Sequence, residues 1–288
     1  MSIRVVRFAE LKPEAISALQ SRLSEYYLRP PDSYYEIADE AASRYAPDLQ
    51  PFHCDLVSRV NPGMTVLELG CGTAHLCRFV ETRGGAYTGM DFDYELLNRN
   101  RRNFPRARFL PISTDLREEF DLVASLYTIE HVIEPPAYLE RMWRFCKPGG
   151  LMAVICPDFV DGESFPPSFY YGKTPKRLRE KLRSFAFGDA CEHLLDLFWF
   201  APRWKTRARS AAPGAFWINL EPRIFRRAEY STDADAVHLP RLKDSIWWLE
   251  QRGATIVETS RTVRDVDPAV LNHNCYVVAK KSIHGLST

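Results

Sequence analysis

The chain has 288 residues, of which 45% are hydrophobic and 26% charged, and its formal net charge is +1. This near-neutral balance gives no support for a strongly nucleic-acid-binding or membrane-attached protein, and no apolar run approaches the length of a transmembrane helix. The seven cysteines form no Cys-x-x-Cys pair, and the first residues lack the apolar segment of a signal peptide. We therefore expect a reduced, cytoplasmic protein of one globular domain with a large insertion.

Three helices are predicted before the first strand of the core. The first begins at Pro13 and carries apolar residues at helical spacing, namely Ile16, Leu19, Leu23 and Tyr27. The second begins with a capping box formed by Ser33 and Glu36 and runs to about Tyr45. The third begins near Pro51. Together they predict a helical segment ahead of the main sheet.

A strand, a glycine turn and a helix follow one another from residue 64 to residue 82. The apolar run 64–69 predicts a strand buried on both faces. Gly70 and Gly72 permit a sharp turn and a close approach of backbone N–H groups to a ligand. The helix predicted over 74–82 would direct its positive N-terminal end at the same ligand. This arrangement is half of a nucleotide site.

The residues around this turn distinguish between two types of cofactor. A dinucleotide fingerprint needs a third glycine, and His75 occupies that position. Glu68, two residues before Gly70, would repel a pyrophosphate and attract an ammonium group. Asp91 follows a second short strand, 86–90, where a carboxylate would bind a ribose diol.

The alternation of strands and helices continues to residue 157. A third strand precedes Ser113-Thr114-Asp115, a fourth precedes Leu126-Tyr127, and Lys147-Pro-Gly-Gly150 precedes a fifth. The predicted strands are 107–112, 120–125 and 151–156. A helix is predicted over 138–146, with Pro135-Pro136 at its start.

An aromatic insertion of some eighty residues separates the fifth strand from the end of the core. Between residues 173 and 209 it carries ten Lys or Arg against four acidic residues. Such a composition suits a cap over a planar or anionic small molecule, and a dimer interface or a packed lid is the alternative. The insertion also carries polar groups that could act as a base: His193, Asp233, Asp235 and His238. No spacing among them predicts a metal site, so we predict none.

A helix over 242–251 and strands over 255–258 and 275–279 complete the pattern. The predicted fold is α/β, a doubly wound, seven-stranded, mostly parallel sheet with an antiparallel last strand, an N-terminal helical lid and a cap inserted between strands five and six. We assign residues 1–60 to the lid, 61–157 with 241–283 to the core, and 158–240 to the cap.

The series Glu68-x-Gly70-x-Gly72, Phe-Asp-Leu-Val, Glu130-His131 and Lys147-Pro-Gly-Gly150 resembles the class I S-adenosylmethionine-dependent methyltransferases in order and spacing. That family usually has a third glycine where this chain has Ala74. The resemblance implies S-adenosylmethionine as cofactor and S-adenosylhomocysteine as product. It also implies a set of cofactor-binding residues, namely Tyr35, Glu68, Gly70, Cys71, Gly72, Asp91, Phe92, Ser113, Thr114, Asp115, Leu126 and Tyr127.

The predicted reaction is O-methylation of a small molecule or sugar. His131, which follows the fourth strand, is the first candidate for the base, followed by His238 and His193. The alternatives are N- or C-methylation of a small molecule, methylation of a nucleic acid, and cofactor binding without transfer. Glu134-Pro-Pro-Ala137 differs from the Asn-Pro-Pro-Tyr motif of nitrogen methylation, because Glu134 has no amide and stands too late in the sequence. We expect a small-molecule acceptor and no nucleic-acid or membrane partner. For protein partners, the sequence leaves a homodimer open.

Overall fold

The structure is a computed structural model. It describes residues 5–28, 51–163, 165–174, 176–224, 233–264 and 273–283. Tyr35 and the helix predicted after Ser33 lie outside these residues.

The core is a seven-stranded sheet in the order β4-β3-β2-β5-β6-β10-β9. Its strands are β2 (Thr65–Leu69), β3 (Ala86–Asp91), β4 (Arg108–Pro111), β5 (Phe120–Leu126), β6 (Cys146–Pro157), β9 (Thr255–Thr259) and β10 (Asn274–Lys280). The strands β2 to β6 pair in parallel, and β10 pairs antiparallel with both β6 and β9. The predicted sheet and its antiparallel last strand are confirmed.

Nine α-helices lie in the described residues. They are α1 (Pro13–Leu28), α2 (Pro51–Ser58), α3 (His75–Thr82), α4 (Tyr94–Asn103), α5 (Pro135–Phe145), α6 (Leu178–Arg183), α7 (Phe187–Leu195), α8 (Ala201–Ser210) and α9 (Leu242–Glu250). None of them is long and apolar enough to cross a membrane. A 3-10 turn, Ile129–His131, follows β5, and a π-helical turn, Asp196–Phe200, joins α7 to α8.

Local sequence accounts for several helix starts. The side chain of Asp93 accepts hydrogen bonds from the backbone N–H groups of Glu95 and Leu96, which fixes the start of α4. Pro135 opens α5, three residues earlier than predicted, because its missing N–H is not needed in a first turn. Ala74, directly before α3, has φ of 57°, the left-handed conformation that the third glycine of the resembled motif adopts without strain.

A second, three-stranded sheet joins the N-terminal segment to the insertion. It consists of β1 (Val5–Arg7), β7 (Trp217–Asn219) and β8 (His238–Leu239), all antiparallel. Leu19 and Leu23 of α1 pack against Ile218 and Val237 of the insertion. The described part of the N-terminal segment and the insertion therefore share one sheet and one apolar cluster. We call them together the cap unit.

Of the three tryptophans in the insertion, two are buried in the cap unit and one is exposed at the surface. Trp204 and Trp217 are 8% and 0% exposed and lie in the apolar core of the cap unit. Trp199 is 53% exposed, and the guanidinium of Arg203 lies 3.2 Å from the centre of its ring. None of the three lines the cavity described below. The expected aromatic wall for a substrate is therefore absent at these three residues.

The buried side chain of Arg241, directly before α9, connects the core to the cap unit. Arg241 and Asp244 are each 1% exposed, and the guanidinium donates 2.5 Å to the Asp244 carboxylate. The same guanidinium donates to the backbone carbonyls of Ala208, Ala211 and Ala212, which end α8. The first turn of α9 is thereby fixed to the cap unit.

Candidate active site

One cavity of about 660 Å³ lies at the carboxyl ends of the parallel strands. Its wall combines residues of the strand ends, of α1 and α5, and of the end of the insertion. Those used below are Tyr27, Glu68, Gly70, Cys71, Gly72, Asp91, Phe92, Ile112, Leu126, Tyr127, Thr128, His131, Glu134, Tyr138, Arg141, Asp233 and Asp235.

The two glycines of the turn after β2 have different surroundings. At Gly70, φ is +73° and an added Cβ would lie 2.2 Å from the Thr128 side chain, so only glycine fits. At Gly72, φ is +47° and an added Cβ would meet no atom within 4 Å. The turn therefore leaves open space in front of its backbone, as a site for a bound nucleoside requires.

Asp91 organises this turn. Its carboxylate accepts hydrogen bonds from the Gly72 N–H at 2.7 Å and the Asp93 N–H at 2.9 Å. Burial raises the pKa of Asp91, and the backbone hydrogen bonds oppose that rise. Each carboxylate oxygen has a second lone pair, so Asp91 can still accept from a ribose diol. The residues present therefore fit the adenosyl end of the expected cofactor.

Glu68 is less available than its position in the motif suggested. It is 4% exposed, and Tyr87 donates a short hydrogen bond to it. Burial raises the pKa of Glu68 to about 8, although the bond from Tyr87 lowers it. At neutral pH the protonated form therefore predominates, and an ammonium group would be attracted only after ionisation.

Seven other predicted cofactor residues divide into two groups. Four of them line the cavity: Cys71, Phe92, Leu126 and Tyr127. Ser113, Thr114 and Asp115 do not, because β4 ends at Pro111 and the wall takes Ile112 instead. The Asp115 side chain is 81% exposed and pairs with Arg144 at 3.3 Å. The prediction placed these three residues in the site, and the cavity wall excludes them.

Tyr127 has a strained backbone at the end of β5. Its φ is +50°, which is uncommon for any residue other than glycine, Asn or Asp. Its N–H donates to the Ile155 carbonyl at 2.8 Å, and its hydroxyl donates to Asn274 at 3.2 Å. These bonds hold the strained backbone in place and direct the chain into the Ile129–His131 turn.

The opposite side of the cavity is acidic, and His131 is at its centre. The His131 Nδ1 lies 3.4 Å from an Asp235 oxygen, and its Nε2 lies 3.9 Å from an Asp233 oxygen. Burial lowers the pKa of His131, but the carboxylates around it, first Asp235, raise that pKa to about 10. His131 is thus at the predicted place, but it is charged at neutral pH rather than in the neutral form that a base requires.

The other two predicted bases do not reach the cavity. His238 is 1% exposed, its Nδ1 lies 3.2 Å from the Ile129 carbonyl, and burial lowers its pKa to about 3. His193 is buried in α7 within the cap unit. Neither lines the cavity: the His238 imidazole is buried against the Ile129 carbonyl, and that of His193 is buried in the cap unit. We therefore remove His193 and His238 from the candidate site.

Three wall residues had no role in the sequence analysis beyond their helices. The hydroxyl of Tyr27 donates to an Asp235 oxygen at 2.5 Å, across 208 positions of sequence. Tyr138 donates to the Leu69 carbonyl at 3.0 Å, and Arg141 lies one turn further along α5. The spacing of Tyr138 and Arg141 puts them on one face of α5, which is the only signal that could have indicated them.

Known proteins resemble this chain at several levels. Residues 43–259 match the profile of a protein family described as "Methyltransferase domain". The ubiquinone biosynthesis O-methyltransferase of Bradyrhizobium diazoefficiens is 27% identical over 126 residues, which are 41% of this chain and 47% of that protein. Its counterpart in Pseudomonas fluorescens is 28% identical over 114 residues, which are 36% of this chain and 49% of that protein. The chain thus spans about half the length of these curated relatives.

Two solved structures share the fold. A 1,6-didemethyltoxoflavin-N1-methyltransferase of Burkholderia thailandensis, solved with S-adenosylhomocysteine and 1,6-didemethyltoxoflavin, has a TM-score of 0.52 and 17% identity. The similarity covers 94% of this chain and 91% of that one. An S-adenosylmethionine-dependent methyltransferase of Mesorhizobium loti has a TM-score of 0.50 and 16% identity, and the similarity covers 82% of this chain and 99% of that one.

Proposed function

We propose, from the premise that this chain belongs to the methyltransferase-domain family, that it transfers a methyl group to a hydroxyl oxygen of a small molecule. The chain is a class I methyltransferase with a Rossmann-like core, and S-adenosylmethionine is its cofactor. When bound, that cofactor supplies a methyl group already activated by the positive sulfur. The residues of the chain then have to align the acceptor and exclude water.

The observation that carries this proposal is that one cavity joins two chemically different walls. On one side are the glycine turn and Asp91, which would hold the cofactor. On the other are His131, Asp233 and Asp235, where an acceptor would lie. The volume of about 660 Å³ is in the range of small-molecule sites.

The charge of the acceptor side favours oxygen over nitrogen. An amine beside Asp233 and Asp235 would be held as an ammonium ion, which has no lone pair to attack a methyl group. A hydroxyl is not protonated to a cation at neutral pH, so its oxygen keeps a lone pair that can attack the methyl group. Its proton must nevertheless leave during the transfer, and a polar cluster at the acceptor supports that step. The similarity to ubiquinone biosynthesis O-methyltransferases agrees with an oxygen acceptor.

A matched acceptor panel tests the proposal. Full-length protein with isotopically labelled S-adenosylmethionine would be offered phenols, catechols and sugars, each beside the amine analogue of the same shape. We expect labelled O-methyl products, identified by mass spectrometry and NMR. N-methyl products from the amine partners alone would overturn the oxygen assignment, and S-adenosylhomocysteine binding without transfer to any acceptor would favour a binding protein.

The variant Asp235→Asn tests the role of the acidic side. It keeps the size of the side chain and removes its charge, so we expect turnover to fall by at least about 10², the lower end for assisted proton transfer. Affinity for S-adenosylhomocysteine should stay within about threefold, because the change affects a chemical step and not uniform binding. Equal losses in turnover and cofactor affinity would contradict this division of the cavity.

A further inference from the structure

Three carboxylates and one imidazole come together at the acceptor side of the cavity. Glu130 and His131 belong to the turn after β5, and Asp233 comes from the end of the insertion. His131, Asp233 and Asp235 line the cavity, whereas Glu130 is buried next to His131 and does not line it. One ligand atom from each of these three residues lies within 4.8 Å of the other two. Opposite ligands of a small divalent cation are about 4.2 Å apart, so a shift of well under 1 Å would bring these atoms to coordination distance.

Glu130 is the unexpected member of this cluster. It is 0% exposed, and neither of its carboxylate oxygens has a hydrogen-bond partner in the structure as described. Its backbone carbonyl accepts from the Val237 N–H at 2.9 Å, so the turn is held against the insertion. A buried carboxylate without a partner is costly unless a cation or a donor compensates it.

Among the described residues, His131 is the one basic side chain beside the carboxyl groups of this cluster. Within the described ranges, no Lys or Arg forms an ion pair with Glu130, Asp233 or Asp235, and His131 is their one basic neighbour. Three carboxyl groups therefore face one imidazole.

Asp235 and Tyr27 do not belong to the cluster of three ligand groups, but they orient the imidazole of His131. Asp235 lies beside the Nδ1 of His131, and Tyr27 donates to the same Asp235 oxygen at 2.5 Å. A carboxylate behind one ring nitrogen is the usual support of a histidine that ligates a metal through the other. The Nε2 is then directed at Asp233, where the third ligand lies.

We propose that Glu130, His131 and Asp233 bind a divalent cation, which displaces the proton of the His131 Nε2 into solvent, and that the acceptor hydroxyl completes its coordination. Two carboxylates with one imidazole suit a hard cation such as Mg²⁺ or Mn²⁺. The hydroxyl role rests on the proposed function, whereas the cation site rests on the cluster alone. Sequence spacing gave no indication of this site, because Asp233 is distant in sequence from the Glu130-His131 pair.

The cation would also assist the loss of the proton that methylation of a hydroxyl requires. A coordinated hydroxyl is a stronger acid than a free one. Its O–H bond breaks and the proton passes to solvent water, while the oxygen forms the new bond to the methyl carbon. The C–S bond breaks with its electron pair on sulfur, which gives neutral S-adenosylhomocysteine. No oxidation or reduction occurs, so a redox-inactive cation is sufficient.

Binding of Mn²⁺ by the full-length protein tests the site without any turnover. Protein dialysed against a chelator and then against buffer would be titrated with Mn²⁺, and free Mn²⁺ followed by electron paramagnetic resonance. We expect one site per chain and a rise in melting temperature. Glu130→Gln and Asp233→Asn should each weaken binding by at least about tenfold, and Asp235→Asn by about 10–100-fold as a positioning residue.

Glu134→Gln is the matched control, because Glu134 lines the same cavity but lies outside the cluster. Its affinity for Mn²⁺ should equal that of the unmodified protein. Absence of a site in the unmodified protein, or equal binding by all four variants, would overturn the proposal. If Glu130→Gln fails to fold, Asp233→Asn and the unmodified protein still decide the question.

Calorimetry with S-adenosylhomocysteine separates this proposal from the proposed function. Binding of S-adenosylhomocysteine without a Mn²⁺ site would reject the cation and leave the methyltransferase function intact. A Mn²⁺ site in a protein that transfers no methyl group to any hydroxyl would keep the cation and reject the oxygen acceptor.

Discussion

The two sides of the cavity are built in opposite ways. Most of the cofactor side comes from one continuous stretch, Glu68 to Asp93, in which each strand end is followed by its own turn and helix, and Leu126 and Tyr127 of the same sheet complete it. The acceptor side combines Tyr27, His131 and Asp235, and the bond between Tyr27 and Asp235 spans 208 positions. The first side is thus a property of the core sheet, whereas the second exists only when the cap unit is docked on the core.

This difference separates the two functions of the site physically. Gly70 and Asp91 are held by hydrogen bonds within the core, so the cofactor side does not depend on the cap unit. Asp233 and Asp235 belong to the insertion and reach His131 because the Glu130 carbonyl binds Val237. Changes in the cap unit should therefore alter the acceptor and spare the cofactor. The predictions below test this independence, in order of decreasing expected effect.

The largest effect is expected from Arg241→Met, which removes the buried link between the two units. The change removes the four hydrogen bonds of the guanidinium and the only cation paired with the buried Asp244 among the described residues, so the free energy of unfolding should fall by about 3–5 kcal/mol. Urea unfolding measures this loss. At low temperature, the affinity for S-adenosylhomocysteine should stay within about threefold, because the cofactor side is not linked to Arg241.

The control is Lys243→Met, which breaks a pair with Asp161 at 4.0 Å whose lysine side chain is 50% exposed. An exposed pair contributes at most about 1 kcal/mol, so stability should change little. If Arg241→Met changed stability no more than this control, the buried pair would not hold the units together. A parallel collapse of cofactor affinity would show that the two sides are not independent.

An intermediate effect is expected from Asp91→Ala on the cofactor side. A hydrogen bond to a charged group contributes about 1.5–3 kcal/mol, so affinity for S-adenosylhomocysteine should fall at least about tenfold in calorimetry. Asp115→Ala is the control, because the sequence indicated both carboxylates and the cavity wall includes only Asp91. Equal affinities in the two variants would remove Asp91 from the site.

The residues predicted for the cofactor side depend mainly on local sequence. A Gly-x-Gly turn needs only its own strand and helix, and Asp91 needs only the end of the next strand, so spacing along the chain determines their positions. Ser113, Thr114 and Asp115 were also expected from their position directly after a strand. β4 ends at Pro111, one residue before the predicted end, and of the residues that follow it the cavity wall includes Ile112 but not these three.

The acceptor side was predicted only in part. His131 directly follows a strand of the sheet, and the sequence placed it at the mouth of the site. Its partners could not be assigned, because the contacts among Tyr27, His131 and Asp235 depend on how the cap unit folds. Its charge could not be assigned either, since a histidine takes its protonation state from neighbours that are remote in sequence. The aromatic residues of the insertion left a substrate cap and a packed lid open, because aromatic residues fill cores as readily as they line pockets, and Trp204 and Trp217 lie in a core.

The smallest effect is expected from Glu68→Gln, and it appears in the pH dependence of stability. Burial raises the pKa of Glu68 from 4.5 to about 8, so the folded state favours the neutral carboxyl. The stabilisation from this group is complete below the unfolded pKa of 4.5 and is lost as pH rises towards about 8. Glutamine is neutral at every pH and shows no such loss.

The stability of Glu68→Gln relative to the unmodified protein should therefore increase with pH, by at least about 1 kcal/mol between about pH 5 and about pH 8. Urea unfolding at several pH values measures this difference. In Tyr87→Phe the hydrogen bond that lowers the pKa is absent, so the window should extend to higher pH. Parallel stability curves would instead mean that Glu68 is ionised in the free protein. The cofactor side would then already carry the negative charge that the cationic cofactor requires, as the acceptor side does, and the two sides would differ in construction but not in electrostatics.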